Sequence, residues 1–148
     1  MKIEKLCFLI AAGISFFGAT IHWVAPLLGV DWYMFLTSPQ WVVESARADT
    51  WQAPAGAAGV GALMFLCGAY ACSGAGLCRP IPFLRTALCT ISMLCIVRGA
   101  LIFPMMIKIP ERLSAFDITA SLVWLLAGIC FAVGTVLRWK VMQAQQAI

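Results

Sequence analysis

The chain has 148 residues, of which 63% are hydrophobic and 11% charged, whereas soluble domains carry about a quarter charged residues. That leaves too little polar surface to cover one soluble core, so the composition points to an integral membrane protein and excludes an ordinary soluble enzyme domain. Four spans of about 20 residues occupy about 80 positions and leave no room for a separate soluble domain.

After the charged start Lys2, Glu4 and Lys5, the run Leu6 to Leu28 carries no charge and predicts the first span, with His22 and Pro26 near its far end. It exceeds the apolar core of a signal peptide, about 7–15 residues, and shows no convincing small-x-small cleavage site before Ile21, so it reads as a retained helix. The second span, 51–76, begins beside Pro54, where a first-turn proline is tolerated, and is rich in glycine. The third, 86–107, is interrupted by Arg98 and is expected to bend or end at Pro104. The fourth, 118–137, has Asp117 placed as its N-terminal cap. The predicted fold is all-α: a single polytopic membrane domain built as a four-transmembrane-helix bundle.

The first connection, 29–50, is too long for a tight turn and too aromatic for a solvated loop, with Trp32, Tyr33, Phe35 and Trp41. Ser38 as cap and Pro39 at the first helical position predict a short interfacial helix over 39–48. Trp23, Trp51 and Trp139 lie near span ends, as in an aromatic belt.

The net charge of +4 resolves into topology. Lys2, Lys5, Arg79, Arg85, Arg138 and Lys140 fall on the face carrying both termini, whereas Asp31, Glu44, Asp49, Glu111 and Asp117 fall on the other, with Arg47, Lys108 and Arg112. Basic residues near span ends are retained in the cytoplasm, so both termini are expected there, and nothing in this distribution calls for nucleic acid.

The cysteines at 7, 67, 72, 78, 89, 95 and 130 all lie within spans or at the cytoplasmic edge, with no C-x-x-C pair. Structural disulfides persist on the oxidising side, so these residues read as small packing groups; no metal or other cofactor is expected.

Arg98 is the residue that topology leaves unexplained. A charge within a span costs about 2.5–3.5 kcal/mol on insertion scales and normally faces protein, water or a counter-charge. It lies nine residues before Ile107, about 13 Å at 1.5 Å per residue, deep in the outer half. Asp31, Glu44 and Asp117 are candidate partners, as is an anionic headgroup. His22, the single histidine, falls in the same half and could join Arg98 in a polar pocket beneath the interfacial connection. The bland readings are an ion pair or snorkelling arginine and an interfacial anchor. Small residues at four-residue spacing in the second span, including Gly61, Gly68 and Gly76, predict close helix packing, either centrally or at an oligomer contact.

Several activities lack their residues. No Asp or Glu lies within a span to couple protons to export, no P-loop is present, and no catalytic triad or carboxylate pair is spaced for hydrolysis. The chain contains no asparagine, so the arginine and asparagine motif of the membrane glutathione transferase and eicosanoid-enzyme family is missing. The segment Gly68 to Gly76, followed by Ile81-Pro82-Phe83-Leu84-Arg85 and Val97-Arg98-Gly99, resembles a group of small bacterial four-span membrane proteins, with Asp31-Trp32-Tyr33 and Pro39 fitting the same pattern. The resemblance implies the four-helix architecture and a bacterial inner-membrane location, and brings no activity or catalytic residue.

The functional expectation is therefore a non-enzymatic membrane protein that binds a lipid or amphiphile, or a membrane protein partner, with immunity against a membrane-acting toxin as a specific version. A small oligomeric transporter or channel subunit is the alternative. An enzyme acting on a lipid headgroup, with His22 as base and Arg98 holding phosphate, comes third.

Overall fold

The computed structural model describes residues 2–146, with side chains described through Ala144. Among the described residues seven α-helices follow one another: α1 (Ile3–Leu28), α2 (Val30–Phe35), α3 (Gln40–Arg47), α4 (Gln52–Ala75), α5 (Leu84–Ala100), α6 (Ile102–Lys108) and α7 (Ala115–Gln146). A 3-10 turn at Pro110–Arg112 precedes α7, and there is no strand among the described residues. Four helical stretches are long and apolar enough to cross a membrane: α1, α4, the α5–α6 pair and α7. The molecule is thus an all-α, multi-pass membrane protein built as a four-helix bundle.

The helices run up, down, up and down. One core cluster joins Phe8 at the start of α1, Ala71 and Ala75 at the end of α4, Leu84 and Leu88 at the start of α5, and Phe131 and Met142 toward the end of α7. This is the tail end of the bundle. The opposite, loop end is closed by a second cluster of Ala25, Tyr33, Val42, Ala53 and Ala57, which binds α2 and α3 to the adjoining ends of α1 and α4. The outward faces are apolar, with Phe17 69%, Leu63 66% and Val136 72% exposed, a surface suited to lipid rather than water.

Several boundaries differ from the sequence expectation for identifiable reasons. The interfacial connection holds two short helices, not one, and α3 begins at Gln40 with Pro39 as its cap and no side-chain cap bond from Ser38. Asp117 is not the cap of the last span. That role falls to Ser114, whose Oγ accepts from the Asp117 backbone N–H at 3.1 Å while Asp117 Oδ2 accepts from the Ser114 N–H at 2.9 Å. This reciprocal pair starts α7 three residues before the expected span and satisfies two orphan donors. The third span breaks at Leu101, just ahead of Pro104, where the proline ring removes one helical donor and crowds the carbonyl four residues back.

The small residues of α4 do not make it the centre of the bundle. Its glycines divide: a Cβ at Gly61 would overlap the Trp23 indole and one at Gly68 would come 2.6 Å from the Phe16 ring, whereas Gly56 and Gly59 face open space. Small residues therefore bring α4 closest to α1, and Gly74 near the end of α4 also admits Leu88 of α5. Gly76 ends α4 in the left-handed region at φ 76°, with the Leu77 and Gly76 N–H groups returning to Cys72 and Ser73 as a Schellman motif requires. The least buried span is α4 and the most buried is α7, which packs against α1, α4, α5 and α6. Its closest partner is α5, since a Cβ on Gly128 would lie 2.7 Å from the Ile96 backbone nitrogen and one on Gly99 2.6 Å from that of Leu125.

Candidate functional site

Two tight helix pairs, α1 with α4 and α5 with α7, build the bundle, and α4 meets α5 mainly near the connection between them. There Gly74 admits Leu88, whose Cδ1 would stand 3.1 Å from a Cβ. Toward the loop end α4 and α5 diverge and leave a cavity of about 460 Å³, within the range of about 300–1,000 Å³ for small-ligand pockets.

One face of each helix forms its walls. Val60, Leu63, Met64 and Cys67 line it from α4, and Ile91, Leu94, Cys95 and Arg98 from α5, both sets at the i, i+3, i+4, i+7 spacing of a single helical face. The back is Ala120 and Trp124 of α7, and the loop end is closed by His22, Leu36, Thr37, Phe116 and Asp117. Leu63 and Leu94 are 66% and 59% exposed, so the two walls reach the outer surface of the bundle and the cavity opens sideways between them.

The polar groups gather at its loop end. Arg98 Nη1 donates to Ser121 Oγ at 3.4 Å, a bond that uses one of the guanidinium's five N–H donors. Its charge also acts on Asp117. The Asp117 carboxylate accepts from the Ser114 hydroxyl at 2.7 Å and the Ser114 N–H at 2.9 Å, both at Oδ2, and has the Thr37 hydroxyl as a further neighbour. His22 Nδ1 lies 2.8 Å from the Gly18 carbonyl. A carbonyl can only accept, so Nδ1 carries the proton, and in the neutral ring Nε2 is the acceptor.

Thr37 is held there by its backbone. It occupies the left-handed region at φ 51°, closing α2 with bonds from the Thr37 and Ser38 N–H groups to Met34 and Tyr33. A β-branched residue is unusual at that position, normally given to glycine. The Phe35 ring packs on Phe116 at a 50° tilt with centroids 4.9 Å apart, which ties α2 to the start of α7.

Of the residues singled out from the sequence, His22, Arg98 and Asp117 lie on this one cavity. Asp31 and Glu44 do not. Asp31 is exposed on α2, and Glu44 receives a bond from Gln40 Nε2 at 2.9 Å beside a shallower hollow with Trp41 and Ser45. Sequence reading missed Thr37, Ser121 and Trp124, along with the apolar walls. A helical-face spacing of apolar residues ending in Arg98 was the available signal for α5. The cysteines are all free thiols, and no group of metal-ligating side chains occurs among the described residues.

Comparison with protein-family models, with curated proteins and with solved structures found no match.

Proposed function

We propose that this protein binds an amphiphile of the bilayer, taking its apolar part between α4 and α5 and its head at Arg98. One observation carries the reading: an apolar cavity, open sideways where lipid would lie, ends at a guanidinium with free donors. The apolar part passes from one apolar medium to another, so its binding rests on packing against the walls, while the guanidinium gains charge-assisted bonds to a phosphate or carboxylate. The reading is of a binding protein in a bacterial inner membrane, with the tail end in the cytoplasm and the cavity in the outer half.

Native mass spectrometry of the detergent-purified full chain tests it. A bound lipid of unchanged mass should be retained by the wild type and lost from Arg98→Ala and from Cys67→Trp, which fills the cavity from α4. Circular dichroism would establish that both variants remain helical. A wild-type protein that retains no lipid and gains no thermal stability from added lipid would overturn the proposal. Retention undiminished in both folded variants would place the lipid elsewhere and overturn it equally.

A further inference from the structure

The polar end of the cavity is not simply cationic, and its composition narrows the head it can hold. Arg98 contributes one positive charge and Asp117 one negative charge to the same lining, so the site is neutral overall when His22 is neutral. A head that is only anionic would satisfy the guanidinium but set its charge against the carboxylate. A head that is only cationic would do the reverse. Uncompensated charge is costly away from bulk water.

The hydrogen-bonding inventory points the same way. The guanidinium is donor-only, matching phosphate oxygens. On the other side stand acceptors: the Asp117 carboxylate, whose bonds from Ser114 both fall on Oδ2, and the His22 ring, whose Nδ1 is committed to Gly18 and whose Nε2 therefore accepts. A carboxylate offers about four lone-pair sites, more than Ser114 and Thr37 occupy. Acceptors of this kind call for N–H donors on the ligand.

Building on the amphiphile-binding reading above, we infer that the cavity takes a membrane phospholipid whose zwitterionic head carries a primary ammonium, with its phosphate on Arg98 and its ammonium on Asp117 and His22. A quaternary ammonium has the same charge but no N–H to give. A glycerol head has donors but lacks the positive charge that Asp117 would balance. The membrane lipid, rather than a soluble phosphoamine, is the occupant because the walls from Leu63 to Leu94 are apolar and open laterally.

The test uses the full chain in detergent, titrated with phosphatidylethanolamine, phosphatidylcholine and phosphatidylglycerol of identical acyl chains and with free phosphoethanolamine, read by native mass spectrometry. The wild type should bind phosphatidylethanolamine about tenfold more tightly than the other two lipids, the effect of one charge-assisted hydrogen bond. Phosphoethanolamine alone should fail to compete. Asp117→Asn, which keeps an oxygen for the Ser114 cap, should still bind lipid but lose the preference for the primary over the quaternary ammonium. Equal wild-type affinity for the ethanolamine and choline lipids would overturn this assignment while leaving lipid binding intact, and needs no variant to read. A preference surviving in Asp117→Asn would also overturn it, and competition by phosphoethanolamine at lipid-like affinity would overturn the choice of a lipid. Absence of binding to every lipid would instead remove the underlying reading.

Discussion

Arg98 and Thr37 reach the same cavity by opposite routes. Arg98 stands out as a lone charge in an apolar run, and the cost of placing it within a membrane already demands a partner. Thr37 carries no such mark, and its position follows from a helix end that bends the chain through the left-handed region. That conformation costs an ordinary L-residue about 1–2 kcal/mol, while glycine's added freedom when unfolded costs about 0.5–1 kcal/mol. Thr37→Gly should therefore leave stability unchanged or raise it by up to about 1.5 kcal/mol, measured by thermal unfolding in detergent. It should also weaken lipid retention, because the hydroxyl beside Asp117 is removed. A loss of stability above about 1 kcal/mol would show that Thr37 is held by contacts that outweigh its backbone strain. His22, Arg98 and Asp117 were legible as polar residues of one membrane half. Their common cavity was not, since it depends on which helix faces meet.

At the scale of elements, the spans were legible because runs of uncharged residues have few alternatives in a bilayer. Their ends were less so, because several polar residues compete to cap them. Ser38 has the right type and place to cap α3 but makes no side-chain cap bond there. Ser45, inside α3, does the capping for a different helix. Its Oγ accepts the buried Ala53 N–H of α4 at 2.9 Å and lies 2.7 Å from the Thr50 hydroxyl. The bond runs from one element to the start of the next, where early helical N–H groups lack intrahelical partners. Ser45→Ala should destabilise the protein by about 1–2 kcal/mol, as loss of a cap with a buried donor left unpaired. Ser38→Ala should stay within about 0.5 kcal/mol of the wild type. Chemical unfolding of the two variants in one detergent gives the comparison, and equal effects would deny Ser45 its bridging role.

For the whole molecule, the glycine pattern of α4 was a sound signal of close approach but did not identify the most buried helix. Gly99 and Gly128 are isolated in sequence yet let α5 and α7 meet backbone to backbone, an arrangement visible only once both helices are in place. This leaves α4 free to part from α5 and form the cavity. The bundle also fixes how its charges are displayed. The 76–83 connection carries Arg79 and the first turn of α5 carries Arg85, at the same end as Lys2, Lys5, Arg138 and Lys140, and Arg85 lies over the Trp139 ring at 4.9 Å. The loop end has Asp31, Glu44, Asp49, Glu111 and Asp117 alongside Arg47, Lys108 and Arg112. Retention of basic residues on the cytoplasmic side would orient the tail end inward and the cavity toward the outer leaflet. Cys78 is a native reporter of that orientation, being exposed in the 76–83 connection. In a variant retaining Cys78 as its sole cysteine, a membrane-impermeant maleimide should label inside-out vesicles and leave intact spheroplasts unlabelled. Labelling of spheroplasts alone would invert the topology and put the amphiphile cavity in the inner leaflet, because the four-helix connectivity keeps Cys78 and the cavity at opposite ends of the bundle.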